Sequence, residues 1–233
     1  MYEIGIIGGM GPDSSRELLS RIIMYTDAKS DQEHVPICLL NIPAIPDRTA
    51  ALLKGGASPV PALNAAIRDL IKLGAKRYII CCNTAHYFAP ELIKSEKIAF
   101  IDMVSETVGY IKEKRIKEIA VLGTEGVKTG GVYSRALANA GIAEIDVSPV
   151  QNEVSAIIYC IKGGGELAGY ARRLDKVIEA ISKTTAGVPF LLGCTELSLL
   201  SKYARDKIAI IDPLDITAKK AIQYAGYKIK PVE

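Results

Sequence analysis

The sequence predicts an α/β fold: two pseudo-symmetric parallel-sheet domains facing each other across an active-site cleft. Three observations predict it. Short apolar runs alternate with longer amphipathic segments along the chain. The runs are continuous in Val, Ile and Leu, as in strands buried on both faces. The chain also resembles itself at one long offset.

The first strand is expected over Glu3–Ile7, where glycines follow, and the first helix over Ser14–Ala28. A strand over Val35–Ile42 and a helix over Val60–Leu73 come next. Arg77–Cys82 reads as a strand closed by Asn83-Thr84, and Ala99–Ile101 as one closed by Asp102 before a helix over Met103–Lys114. The series then restarts with strand Glu118–Leu122, helix Gly131–Ala140, strand Glu144–Val147 and helices Glu153–Lys162 and Glu166–Thr184. Strands Pro189–Leu192 and Ile208–Ile211 and a helix over Leu214–Ala225 complete it. Apolar strands separated by helices argue for parallel βαβ units, with functional loops at the strands' C-terminal ends.

The repeat is collinear. EIGIIGGMG (3–11) parallels EIAVLGTEG (118–126), YIICCNTAH (78–86) parallels FLLGCTELS (190–198), and IAFIDMVSETV (98–108) parallels IAIIDPLDITA (208–218). The offsets are 115, 112 and 110, too long for a solenoid period. They fit two duplicated lobes, one of residues 1–105 plus 211–233 carrying Cys82, the other of residues 106–210 carrying Cys194. The last helix is then expected to pack on the first lobe. Cys82 aligns with Cys194 and Asp102 with Asp212, so a pseudo-twofold axis sets one cysteine on each wall of a cleft.

Composition narrows the function. The chain has 233 residues, 49% of them hydrophobic, enough for a sizeable core. With 29 Lys and Arg against 26 Asp and Glu, the net charge is +3, which points to neither nucleic-acid nor membrane partners. No apolar stretch reaches the roughly 18 residues of a membrane helix, and MYEIGIIGGMGP lacks the basic start of a signal peptide. A cytoplasmic protein is expected. Its five cysteines (Cys38, Cys81, Cys82, Cys160 and Cys194) are odd in number and widely spaced, which favours free thiols.

Cys82 and Cys194 each follow an apolar strand and precede polar residues. That position sets a thiol near the N-terminus of the following helix, where free N–H groups and the dipole favour a thiolate. A base on each side of one substrate carbon suits inversion: one thiolate removes the α-proton, and the opposite thiol delivers a proton to the other face. The developing carbanion needs donors at its carboxylate, a role open to Asn83, Thr84 and Thr195. Cys38, Cys81 and Cys160 read instead as small hydrophobes, with Cys81 pointing away from Cys82. A zinc site at Cys82 and His86 lacks a second ligand pair, so neither metal nor cofactor is expected.

These motifs resemble the cofactor-independent aspartate/glutamate racemase superfamily, and its aspartate racemase branch in particular, over nearly the whole chain. GIIGGMGP (5–12) matches the N-terminal loop, IPDRT (45–49) the substrate segment, and CNTAH (82–86) with GCTEL (193–197) the two catalytic motifs. The resemblance implies Cys82 and Cys194 as proton donor and acceptor. It implies that Met10, Arg48, Thr49, Asn83, Thr84, Ala85 and Lys162 line the site of a small dicarboxylic amino acid, and that the enzyme is a homodimer. Arg48 offers a planar fork suited to a carboxylate. Lys162 sits in YCIKGGG, where glycines let a loop approach a ligand. Asp47 is expected to hold Arg48 rather than touch substrate. Glu196 is read as orienting Cys194, binding the ammonium, or capping a helix. His86 reads as support for its loop, with a Cys–His nucleophile as the competing view. The loop LGTEGVKTGG (122–131) keeps Thr124 but carries Val127 where relatives often have a small hydroxyl residue. Both cysteines are present, whereas broad-specificity relatives replace the first with threonine. Competing functions are racemisation or isomerisation of another small acid (glutamate, hydantoin or maleate) and non-catalytic binding of a small molecule.

Overall fold

A computed structural model describes residues 1–185, 187–203 and 209–231, apart from the Lys202 side chain. Two four-stranded sheets, all parallel, organise them. The first holds β1 (Tyr2–Gly8), β2 (Ile37–Asn41), β3 (Ala75–Ile80) and β4 (Ala99–Phe100) in the order β2-β1-β3-β4. The second holds β5 (Glu118–Gly123), β6 (Ala143–Ile145), β7 (Phe190–Gly193) and β8 (Ile210–Ile211) in the order β6-β5-β7-β8. One order becomes the other when four is added to each strand number, which is the repeat expressed as topology. Ile208, expected to open the last strand, lies outside the described residues.

Each sheet is covered on both faces, as its continuous apolar strands require. In the first half, helix α1 (Pro12–Tyr25) packs on one face and α3 (Val60–Lys72) on the other. In the second half, α7 (Gln151–Lys162) and α8 (Leu167–Ser182) cover one face, and α6 (Ser134–Asn139) the other. Helix α4 (Met103–Glu113) follows β4, yet its Val104, Val108 and Ile111 bury against Ile119 and Val121 of the second sheet. Helix α9 (Pro213–Tyr224) follows β8, yet its Leu214, Ala218, Ala221 and Ile222 join Ile4, Ile6 and Leu18 of the first. The halves are thereby completed by each other's helices. Burying each such Leu or Ile contributes about 1.5–3 kcal/mol.

All eight expected strands and all seven expected helices are present, with ends shifted by a few residues. Among the described residues, two short α-helices were not expected: α2 (Arg48–Leu53) and α5 (Glu125–Thr129). Each starts at a side-chain cap. Asp47 Oδ1 accepts from Ala50 N at 2.7 Å, and Thr124 Oγ1 from Val127 N at 3.1 Å. Among the described residues no helix is long and apolar enough to cross a membrane.

Candidate active site

β3 and β7 occupy the same place in their sheets, and each ends one or two residues before a conserved spacing in the repeat: Cys82 and Cys194. Strand alternation separates Cys81 from Cys82. Cys81 packs on the α1 face and donates to Ser14 O at 3.5 Å, while Cys82 packs on the α3 face. All five thiols are free. Cys82 and Cys194 each lead into a 3-10 helix, Thr84–Glu91 or Leu197–Tyr203, where the N-terminus of a helix was expected. Pro90 inside the first of these removes a donor that an α-helix would use.

Cys82 and Cys194 line one cavity. Met10, Asp47, Arg48, Thr49, Asn83 and Thr84 come to it from the first half, and Thr124, Tyr159, Lys162, Thr195 and Glu196 from the second. The space is small, about 10 Å³, roughly one water-sized sphere. A cleft of about 340 Å³ adjoins it, sharing Met10, Asp47, Arg48, Lys162 and Glu196. The glycine loop after β1 forms one edge. Gly9 has φ of +92° and passes so close to Ile42 that a Cβ would lie 2.4 Å from its backbone. The halves meet closely as well. A Cβ on Gly126 would lie 2.8 Å from Thr49 Oγ1, and Thr84 Oγ1 is 3.0 Å from Thr124 Oγ1.

Two buried donors on the cavity wall lack partners: Arg48 Nε and Asn83 Nδ2. The two Nη groups of Arg48 donate to the main chain. Nη1 donates to Ile45 O at 3.2 Å and Pro46 O at 3.1 Å, and Nη2 to Met10 O at 3.2 Å. Burial works against the Arg48 charge, but Cys82, Asp47 and Glu196 outweigh it and raise its pKa. Asn83 Oδ1 accepts from the buried Tyr133 hydroxyl.

Cys194 has an acidic neighbour where Cys82 has a basic one. Cys194 Sγ donates to Glu196 Oε2 at 2.8 Å, and Glu196 Oε1 accepts from Gly11 N at 3.1 Å. Burial first, and then the Glu196 carboxylate, push the Cys194 thiol well above its usual range. This corrects the expectation of a thiolate favoured by a helix N-terminus at that position. Burial, with the carboxylate two residues on, makes the protonated thiol the stable form. Lys162 Nζ is 3.8 Å from Glu196 Oε1, with the side chain 28% exposed. Burial alone would lower the Lys162 pKa, but Glu196 and the two thiols raise it.

Among the remaining expected residues, Thr49, Thr84, Thr195 and Met10 line the cavity. Ala85 does not. It is fully buried in the first-half core, turned away by the 3-10 turn. Asp47 reaches the cavity, but its cap to Ala50 serves α2, and no direct bond holds Arg48. Lys162 arrives from the last turn of α7 and not from the glycine loop. Val127 is buried in the second-half core. His86 Nδ1 bonds Cys82 O at 2.9 Å, which supports the loop, and its Nε2 faces Asp102 Oδ1 at 3.7 Å. Tyr159 and Tyr133 escape sequence reasoning. Both sit on amphipathic segments whose tyrosines look structural, and only tertiary packing brings them here. Among the described residues, no group of three His, Cys, Asp or Glu side chains could hold a metal ion.

Residues 7–221 match the family model described as Asp/Glu/Hydantoin racemase. The chain belongs to the Asp/Glu/hydantoin racemase family. It is an amino-acid racemase, an isomerase. Its fold superposes on the aspartate racemase of Picrophilus torridus with a TM-score of 0.86 and 29% identity, covering 99% of this chain and 96% of that one. An aspartate racemase homologue from Pyrococcus horikoshii OT3 shares the fold at a TM-score of 0.76 and 21% identity, covering 97% and 100%. The broad specificity amino-acid racemase RacX of Bacillus subtilis (strain 168) is 25% identical over 97% of this chain and 99% of its own length.

Proposed function

We propose that this racemase interconverts L- and D-aspartate without a cofactor, by a two-base mechanism at Cys82 and Cys194. The observation that carries the reading is the single cavity lined by both thiols, from equivalent strand ends of two repeated lobes, together with two unpartnered buried donors. The lobes are read as residues 1–105 with 211–233, and 106–210.

Aspartate enters from the adjoining cleft, and the halves part to admit it, because it is larger than the space between the thiols. Arg48 Nε and Asn83 Nδ2 donate to carboxylate oxygens, and Lys162 supplies a second cation. Buried donors left unpaired in the free enzyme gain more from an anion than solvated ones would. Cys82 stands beside the Arg48 guanidinium. Cys194 stands beside Glu196, which keeps a thiol. The Cys82 thiolate takes the α-proton, and the electron pair passes into the carboxylate. The Cys194 thiol then delivers its proton to the opposite face. The products are the inverted amino acid, a Cys82 thiol and a Cys194 thiolate, and the roles reverse for the other enantiomer.

The Picrophilus relative supports aspartate, and the Bacillus relative supports a wider substrate range as the second reading. The test is α-proton exchange in deuterated water with aspartate and glutamate, for the parent and for Cys82→Ala and Cys194→Ala. Expected are exchange on both aspartate enantiomers and a loss of racemisation of about 10³-fold or more in each variant. Intact racemisation in either variant sinks the mechanism. Exchange on glutamate but not on aspartate sinks the substrate.

A further inference from the structure

An asparagine amide is ambiguous: it presents a donor or an acceptor to a ligand according to which end its other partner holds. Asn83 follows Cys82 and lies on the cavity wall. Its Nδ2 is buried without a partner, and its Oδ1 accepts from Tyr133 Oη. Tyr133 comes from the opposite half, at the start of α6, fully buried in the core that includes Val104, Val108 and Leu137. We propose that Tyr133 is a positioning residue that fixes the Asn83 amide with its donor toward the substrate carboxylate.

The chemistry runs through the alternatives open to the amide. If Asn83 turned over, its carbonyl would face the carboxylate and repel it. If it kept its donor inward without Tyr133, Oδ1 would be buried with no partner, a costly arrangement. The hydroxyl removes both penalties. Burial holds the Tyr133 hydroxyl well above its ordinary pKa, so it stays a proton donor across the working range. The bond also spans the two halves, since Asn83 follows β3 and Tyr133 precedes α6. The donor set is therefore completed only when the halves are together.

The inference rests on the reading of Asn83 as a carboxylate donor, and it is tested with succinate as a non-reacting dicarboxylate probe. Tyr133→Phe keeps the ring and deletes the one hydroxyl. Expected are succinate binding weakened about 10-fold and a similar fall in kcat/KM for aspartate, carried mainly by KM, with thermal stability close to the parent's. In an Asn83→Ala background the same substitution should change binding less than about 2-fold, because nothing remains to be oriented. Asn83→Asp supplies a second measurement that does not depend on how Tyr133→Phe folds. It keeps the acceptor for Tyr133 but turns an oxygen inward, and should bind succinate more weakly than Asn83→Ala. Tyr133→Phe binding succinate like the parent overturns the inference alone. So does an equal loss in the presence and absence of Asn83, or Asn83→Asp binding as tightly as the parent. A parent that neither binds succinate nor exchanges aspartate overturns both this inference and the reading beneath it.

Discussion

Cys82 and Cys194 occupy the same position on the same strand of a repeated unit, yet what surrounds them differs in sign. Cys82 has the Arg48 guanidinium beside it, and Cys194 has the Glu196 carboxylate at 2.8 Å. The contrast extends outward. His86 and Ser198 are equivalent in the repeat, as are Asp102 and Asp212, each of which caps the helix that follows it. In the first half, His86 Nε2 stands 3.7 Å from an Asp102 side chain that is 33% exposed. In the second, Ser198 Oγ donates to Asp212 Oδ1 at 2.6 Å, and Arg21 reaches across from α1 to bond Asp212 Oδ2 at 2.6 Å. Asp212 is 4% exposed and therefore needs that cation, whereas water serves Asp102. Duplication has preserved the backbone and the thiols while the charges around them diverged. Under the proposed mechanism, the Glu196 side of the pair is the one that keeps its proton, since burial and that carboxylate raise the Cys194 thiol.

The largest effect is expected from removing Arg21, the buried cation that Asp212 has and, among the described residues, Asp102 lacks. Arg21 also bonds Asp215, Ser198 O and Ser201 Oγ, so it ties α1 to the segment just beyond Cys194. Arg21→Met leaves Asp212 buried and unpaired, and should cost about 3–5 kcal/mol in a denaturant melt at neutral pH. The sign with pH follows from Asp212. Burial raises its pKa and Arg21 opposes the rise, so without Arg21 the folded state binds the proton more tightly. The deficit should shrink as pH falls. A deficit that stays constant with pH would mean that Asp212 is not the group left stranded.

A smaller effect comes from making the two cysteine settings more alike. Glu196→Gln removes the carboxylate that, after burial, most raises the Cys194 thiol. The Cys194 pKa should fall, and the alkaline limb of the pH profile for kcat should move to lower pH. The limb's position in the two enantiomeric directions should also draw together. An unmoved limb would detach Glu196 from the thiol. The smallest effect is expected at His86. His86→Gln keeps a donor for Cys82 O and should lower kcat/KM by less than about 10-fold, with roughly 1 kcal/mol of stability lost. Abolished activity would revive a direct role for the imidazole beside Cys82.

Most of the architecture was legible in the sequence because parallel strands buried on both faces are written as unbroken apolar runs. The repeat added the matching of the two halves. α2 and α5 were missed because six and five residues are too few to show a periodic stripe, although Asp47 and Thr124 carry cap signals in plain view. At the site, the thiols and the polar residues beside them were readable because they stand next to strand ends. Ala85 was carried along by its motif and lies in the core. Tyr133 and Tyr159 were not readable, since each reaches the site only through the packing of helices far away in the chain. Tyr159, 54% exposed, still edges the cavity. The protonation of Cys194 could not be foreseen from position alone, because it depends on which way Glu196 turns and on how little water is left there.

The exchange of α4 and α9 between the sheets has a consequence for how such a chain arises and folds. A single unit ending at its last helix would hold that helix away from its own sheet and leave an apolar face bare. Two copies would cure each other by trading the helix, as in a domain-swapped dimer. The present polypeptide has the arrangement of such a swapped pair joined end to end, each sheet's core including a helix that follows the other sheet. The core of the first sheet is therefore sealed by residues more than 190 positions beyond β1 in the chain, a contact of high closure cost.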